Sequence, residues 1–418
     1  MDGNGDGLYE QRQKRICDAI ALKVPDRVPV WMGDAGYFPA RYSGFTCEEV
    51  MFDSDKLFAA YRKTLTDFAP DAFFGPGVSI RSPAGALEAL DCKTIRLPGR
   101  GVSAKSSHQA LELEGMKAEE YDEFLDDPVE FAIRRFLPRV HGVMKPLENL
   151  PPLHGLLSGY SSTAMSALFA QPEFFAAFEA WYKAGLIVRK HQTAAAAFMQ
   201  EMKVAGFPQM FVAGVNAPFD IISDYLRGMR GTMTDMYRRP EKLLAAIDKL
   251  TPRVIGSAIA AARASGNPGV VLTLHRGADG FMSLKQVETF YWPSLKKVLL
   301  ALVDAGLTPY PFFEGDYTSR LEYLATLPKG KILGLFDNTD PAEAKKALGG
   351  TMCIAGMMPA SLLQVGTPEE VRAYTRKLID VVGKDGGYMM GPKSIMDEAK
   401  PELVKIWFDT AKEYGVYA

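Results

Sequence analysis

Val270–Gly277 reads VVLTLHRG, Leu307–Asp316 reads LTPYPFFEGD, Lys331–Asn338 reads KILGLFDN and Thr351–Pro359 reads TMCIAGMMP. Each is a short apolar run that ends in a polar or special residue, and segments rich in Ala, Leu and Lys separate them. Apolar runs of strand length alternating with helical segments call for parallel strands joined by helical crossovers. Residues at the exits of successive parallel strands collect at one end of the sheet, and in a closed (β/α)8 barrel that end carries the chemistry. His275, Glu314, Asp316 and Asp337 are therefore expected to face one cavity.

Working outward, Arg27–Met32 (RVPVWM), Asp71–Val78 (DAFFGPGV), Gln209–Val215 (QMFVAGV) and Gly387–Met390 (GYMM) supply the first, second, third and eighth strands. Leu8–Lys23 predicts an N-terminal helical extension, and Pro401–Tyr414 a closing helix. The expected architecture is α/β: a single TIM-type barrel over residues 1–418, with a largely helical insertion at about 97–205 between strands 2 and 3. Within the insertion, Leu97–Gly101 reads as a turn, the stretch beyond it to Met116 as a hairpin and Ser162–Val204 as helix. The opening Met1–Gly7 mimics a calcium loop, but the twelfth position counted from Asp2 is Gln13 rather than the bidentate Glu such a loop needs.

With 47% hydrophobic and 23% charged residues, the composition is that of an ordinary soluble enzyme. A net charge of −2 gives no general attraction to nucleic acid or membrane. Cys17, Cys47, Cys92 and Cys353 lie far apart and form no CxxC pair, which fits reduced thiols in the cytoplasm. No apolar run approaches the ~20 residues of a membrane span.

Three strand-end residues stand out as catalytic candidates: His275, Glu314 and Asp337. A carboxylate leaving an apolar strand needs a partner or a proton, and a His with two carboxylates could hold a metal, with zinc the candidate. Asp316 and Asp279 read equally well as helix caps. Asp34, Tyr37, Phe74, Phe219, Tyr310, Phe312 and Met357 fall near strand ends and are expected to contact substrate, an apolar and aromatic lining suited to an aromatic compound.

Taken in order, these segments resemble the uroporphyrinogen decarboxylase superfamily from roughly Ile16 to Tyr414. VWMGDAGYFPARY (Val30–Tyr42) is similar to its first strand and following loop, and VAGVNAPFDIISDYLRG (Val212–Gly228) to its third strand with Ala-Pro and an aromatic. DNTDPAEAKKALGG (Asp337–Gly350) and GMMPASLLQVGTPEEV (Gly356–Val371) resemble two further family patterns.

The resemblance implies one of two activities, porphyrinogen decarboxylation or methyl transfer to or from a corrinoid on a partner protein, usually with zinc. Gly33 and Tyr37 stand where the decarboxylases place arginines, and Phe74–Gly77 lacks their acid. Phe312-Phe313-Glu314 replaces the His-x-Cys of the zinc-thiol methyltransferases, and Met390–Ser394 lacks their last Cys. What remains is a methyltransferase of the O-demethylase type, taking a methyl group from a small, methoxylated aromatic donor. No Asp-x-His-x-x-Gly cobalamin motif occurs, so the corrinoid is expected on a separate protein. A homodimer is compatible with this reading. The alternatives are a lyase acting on a non-porphyrin substrate and a barrel that only binds.

Overall fold

The computed structural model describes residues 4–76, 80 and 82–417. Of the second strand expected at Asp71–Val78 the structure shows Ala72–Phe73, with residues 77 and 78 outside the described part, as are residues 1–3 of the calcium-like start; helix begins at Asn4.

The ring is built from β1 (Trp31–Met32), β2 (Ala72–Phe73), β3 (Ala213–Asn216), β4 (Gly269–Leu274), β5 (Thr308–Phe313), β6 (Leu333–Phe336), β7 (Cys353–Met358) and β8 (Tyr388–Pro392). β3 to β8 form one six-stranded sheet in sequential order, and β1 pairs with β2; every one of these pairings is parallel. Parallel bridges join the two pieces, Val30 to Met390 on one side and Phe73 to Gln209 on the other. Backbone bonds reinforce both joints, Met390 N–H to Pro29 O at 2.8 Å and Met210 N–H to Phe73 O at 3.1 Å. Pairing thus runs from β1 round to β8 and back, as the sequence predicts.

Side chains alternate along each strand. One set, including Trp31, Phe74, Val271, Tyr310 and Leu335, packs inside the ring. Ile16 and Ala19 of α1 (Asn4–Ile20) join this interior cluster, so the N-terminal extension plugs the end of the barrel opposite the strand exits. The other set meets the surrounding helices. In α2 (Trp292–Asp304), Leu295, Val298, Leu299 and Leu302 are buried at helical spacing and form one apolar face. The family-like motifs are helix starts. Asp340 caps α3 (Pro341–Leu348) by accepting from Ala342 and Glu343 N–H, and Thr367 with Glu370 makes a capping box before α4 (Pro368–Leu378).

β5 carries Pro309 and Pro311. Thr308 N–H donates to Pro268 just ahead of β4, so by alternation the missing N–H groups of both prolines are those that would face β6. The pairing follows: six residue pairs join β4 to β5, while only Phe312–Leu335 and Phe313–Phe336 join β5 to β6.

In the insertion between β2 and β3, Ile95 and Arg96 pair antiparallel with Ala110 and Gln109, so the hairpin's first strand precedes the Leu97–Gly101 turn rather than following it. Its helical part divides at Pro172 into Gly159–Phe169 and a 33-residue helix, Pro172–Val204. Residues 103–116 cross the strand-exit end. They bond to the loop and helix after β1 through Ala104 O to Glu48 N–H at 3.0 Å, and to the segment after β3 through Met116 N–H to Leu226 O at 2.7 Å. Among the described residues no helix is long and apolar enough to cross a membrane.

At the opposite end, the fully buried Asp71 ties three elements together. It accepts from Arg15 of α1 at 2.6 Å, twice from Arg27 at 2.7 Å and from Val30 N–H at 2.8 Å. Removing one partner of such a cluster strands buried charge. Asp71→Ala is expected to lower stability by about 3–5 kcal/mol; a urea unfolding midpoint matching wild type would show that the cluster is dispensable.

Candidate active site

The strand exits open into a cavity of about 1000 Å³. Its floor is apolar, made by Trp31, Phe74, Val271, Phe312 and Leu335, and the insertion roofs it with Ser107, His108 and Leu111. Trp31 and Phe74 meet edge to face at 4.4 Å. A Cβ on Gly391 would lie 2.0 Å from Trp31 Nε1, so glycine there is what allows the indole its place.

The main polar group begins at the end of β4. Asp220, buried completely, accepts the backbone N–H of His275 and of Arg276, each at 3.1 Å, and the Tyr291 hydroxyl at 2.7 Å. Burial and the neighbouring Asp224 charge push its carboxyl up to about 7, against the pull of Tyr291 and His275. Asp224 lies one turn on, in a segment wound as a π turn (Ile222–Leu226), a local irregularity common at functional sites. It accepts from His275 Nδ1 at 2.6 Å and from Arg276 Nη2 at 3.0 Å. A carboxylate only accepts, so Nδ1 carries hydrogen and Nε2 is the nitrogen turned toward Glu314, at 3.5 Å. Burial opposes the charged imidazole, but the Asp224 hydrogen bond and the charges of Asp224, Asp220 and Glu314 outweigh it, and His275 is raised above its ordinary value.

Asp337 lies beside this group on the cavity wall. It accepts from Gly315 N–H at 3.1 Å and from Asn338 Nδ2 at 3.0 Å, and faces Lys393 Nζ at 3.8 Å. Burial raises its carboxyl, while Gly315 and Lys393 oppose the rise.

The structure thus brings His275, Glu314 and Asp337 to one cavity, yet they do not assemble as a metal set. Among the described residues no three His, Cys, Asp or Glu side chains converge to hold an ion. His275 keeps Nε2 for the cavity, but Asp337 is occupied by donors from Gly315 and Asn338 and does not join it. These residues do not fit a three-ligand zinc site.

Of the expected substrate contacts, Asp34, Tyr37, Phe74 and Phe312 line the cavity; Phe219, Tyr310 and Met357 do not, which corrects the sequence reading. Phe219 is buried against Tyr291 at 5.7 Å. Tyr310 shares the inward face of β5 with Phe312 but sits two residues deeper, beside Phe211 at 6.4 Å. Met357 should point inward by alternation from Ala355. Its left-handed backbone, φ +75, breaks the alternation, and the buried side chain joins the larger core cluster rather than the one inside the ring. Asp316 is held locally, accepting Thr318 N–H at 2.8 Å, while Asp279 binds the segment after β5, accepting Ser319 N–H at 3.1 Å and pairing with Arg320 at 2.6 Å.

Sequence reasoning missed Asp220, Asp224 and a second polar group across the cavity. There Asp397 accepts Tyr37 N–H at 2.6 Å and the Ser107 hydroxyl, and Tyr37 Oη meets His108 Nδ1 at 2.7 Å. The i, i+4 acids of Asp220-Ile-Ile-Ser-Asp224 directly after Ala-Pro-Phe were the available signal for the first pair. Ser107 and His108 sit in the insertion and gave no pattern.

A family model described as uroporphyrinogen decarboxylase (URO-D) matches residues 195–414, just over half of the 418-residue chain. A solved structure of a methyltransferase from Methanosarcina mazei is similar over 96% of this chain and 98% of that one, with a TM-score of 0.65 and 13% identity. At that identity the likeness speaks for the fold. No curated protein matches the sequence.

The His275–Asp224 pair makes a prediction that needs no assay of turnover. With a folded pKa above the ordinary ~6.5, His275 contributes stability that is fully present below that value and fades as pH rises through the folded pKa. Asp224→Asn removes the main raising influence. The His275 ring-proton titration followed by NMR should then move to lower pH, and the alkaline loss of stability should shrink. An unmoved titration would mean that Asp224 does not set the charge of His275.

Proposed function

The chain belongs to the uroporphyrinogen decarboxylase family, and on that premise we propose that it is a methyltransferase moving a methyl group from a small methoxylated aromatic compound to a corrinoid on a partner protein. The observation that carries this reading is an acid held against an apolar floor: His275 fixed through Nδ1 by Asp224, with Nε2 free to serve the cavity.

A methyl ether resists attack because alkoxide leaves poorly. When docked at the mouth, the corrinoid supplies the nucleophilic cobalt to which the methyl passes. This chain's residues do the rest. Trp31, Phe74 and Phe312 seat the ring of the donor and keep water from it. As the methyl–oxygen bond breaks, its electron pair stays on oxygen, and the Nε2 proton of protonated His275 moves to that oxygen to release the alcohol or phenol. Asp224 holds the ring throughout, and Glu314 is the nearest carboxyl through which a solvent proton can return to Nε2.

Charge on the wall supports this over porphyrinogen decarboxylation. Asp34, Glu112, Asp224, Glu314, Asp337 and Asp397 line the cavity against Arg276 and Lys393, and Arg276 is already engaged by Asp224. A substrate with many carboxylates needs guanidinium groups instead. The same acidic, aromatic wall favours one second reading, a cationic donor such as a methylated ammonium or sulfonium compound.

The test offers the purified chain neutral methoxyarenes and methylated cations with Co(I) corrinoid and follows the cobalt absorption spectrum. His275→Gln is expected to lower the rate by roughly 10²–10⁴ with an ether donor and far less with an onium donor, whose leaving group needs no proton. Absence of any spectral change across the panel, with turnover of a carboxylated substrate by the chain alone, would overturn the proposal in favour of a lyase.

A further inference from the structure

The insertion does more than roof the cavity. Inside it, residues 92–96 run between two other extended segments and make a small platform with them. On one edge Cys92 bridges antiparallel to His141, and Lys93 N–H donates to Val140 O at 2.9 Å. On the other edge Ile95 and Arg96 pair with Ala110 and Gln109, and Leu111 N–H donates to Thr94 O at 2.7 Å. Thr94, Ile95, Ala110, Leu111, Val140 and His141 of this platform line the same cavity as His275. Leu87 and Phe136 extend the wall. They, like Ile95 and Leu111, are only partly covered by the protein, so four large hydrocarbon side chains stand open inside the cavity. Leaving such surface to water forgoes the free energy of its burial.

A single methoxylated ring does not use this wall, because Trp31, Phe74 and Phe312 of the barrel floor already seat it. The cavity, about 1000 Å³, is at the upper end of those that hold drug-sized ligands, and one small ring leaves most of it unfilled. A corrin ring suits the wall poorly. Its rim is set with amide side chains, which need hydrogen-bonding partners where they are buried, and Leu87, Ile95, Leu111 and Phe136 offer none. We infer that the donor is an extended molecule, a methoxyarene carrying an alkyl tail, with its ring on the barrel floor and its tail on the insertion platform. The inference rests on the reading of this cavity as the donor site. Neighbouring extended segments lie ~4.8 Å apart, so three of them give a tail of several carbons a surface ~10 Å wide. The barrel then supplies the chemistry, and the insertion selects the donor by its length.

Titration calorimetry of the purified chain with para-alkyl methoxybenzenes, from methyl to hexyl, tests this without any cobalt present. Each methylene laid on the wall is expected to tighten binding by up to about fourfold, the equivalent of about 0.8 kcal/mol. Ala110→Trp fills the face of the platform at an exposed position. It should cost the hexyl compound roughly tenfold more affinity than the methyl one, less than the worth of two methylenes. Phe136→Ala removes wall without filling space and should lower the gain per methylene; an unchanged circular dichroism spectrum shows that each variant is folded. An affinity that stays flat from methyl to hexyl, or an Ala110→Trp variant that weakens both compounds equally, would each overturn the proposal. Graded binding by a chain that transfers no methyl group would support the tail site and count against methyl transfer alone.

Discussion

Where β4 ends, the N–H groups of His275 and Arg276 emerge into a buried space beyond the last ladder pair, and Asp220 takes both. An unpaired buried N–H is costly, so the chain could not leave the strand in this way without an acceptor on the neighbouring helix. The acceptor is a carboxyl rather than a carbonyl, and it is wholly buried. Tyr291 binds the same group from the helix after β4, so three segments converge on one side chain. The direction of His275 follows: with its backbone fixed by Asp220 and its Nδ1 by Asp224, the ring has one nitrogen left for the cavity.

Around that nitrogen the cavity divides by material. Below it lies the aromatic and aliphatic floor of the barrel interior; above it, polar groups arrive on segments that are not strands. Asp397 comes from the stretch after β8, Tyr37 from the loop after β1, and Ser107 and His108 from the insertion. The roof is therefore tied to the barrel by hydrogen bonds between loops, whereas the floor is fixed by packing in the sheet interior. That division suits an enzyme that seats an apolar molecule in a rigid cup and admits a larger reactant from above.

Much of this was legible in the sequence. Short apolar runs with chemistry-bearing last residues, alternating with helical segments, pointed to the ring and to His275, Glu314 and Asp337 together, because strand exits in a parallel barrel have nowhere else to go. Depth and local twist were not legible. Tyr310 and Phe312 carry the same parity, and nothing in LTPYPFFEGD says that only the second reaches the surface of the cup. Met357 was misread because alternation assumes extended backbone, and the left-handed residue at that position breaks the rule. Asp220 and Asp224 were hidden for a different reason. They lie on a helix start, where acids are expected as ordinary dipole partners, and only the π turn reveals that both face the strand end.

The two prolines of β5 have a mechanical consequence. With the donors toward β6 removed, the joint between these strands is held by two residue pairs at its upper end, and the fused ring of eight strands contains a compliant seam. Glu314 and Asp337 leave the barrel on opposite banks of that seam. What sets their spacing is the local clasp of Gly315 N–H on Asp337, not a long ladder beneath them. The Glu314 and Asp337 side of the site thus rests on the shorter ladder, while His275 stands on the fully laced β4 beside it.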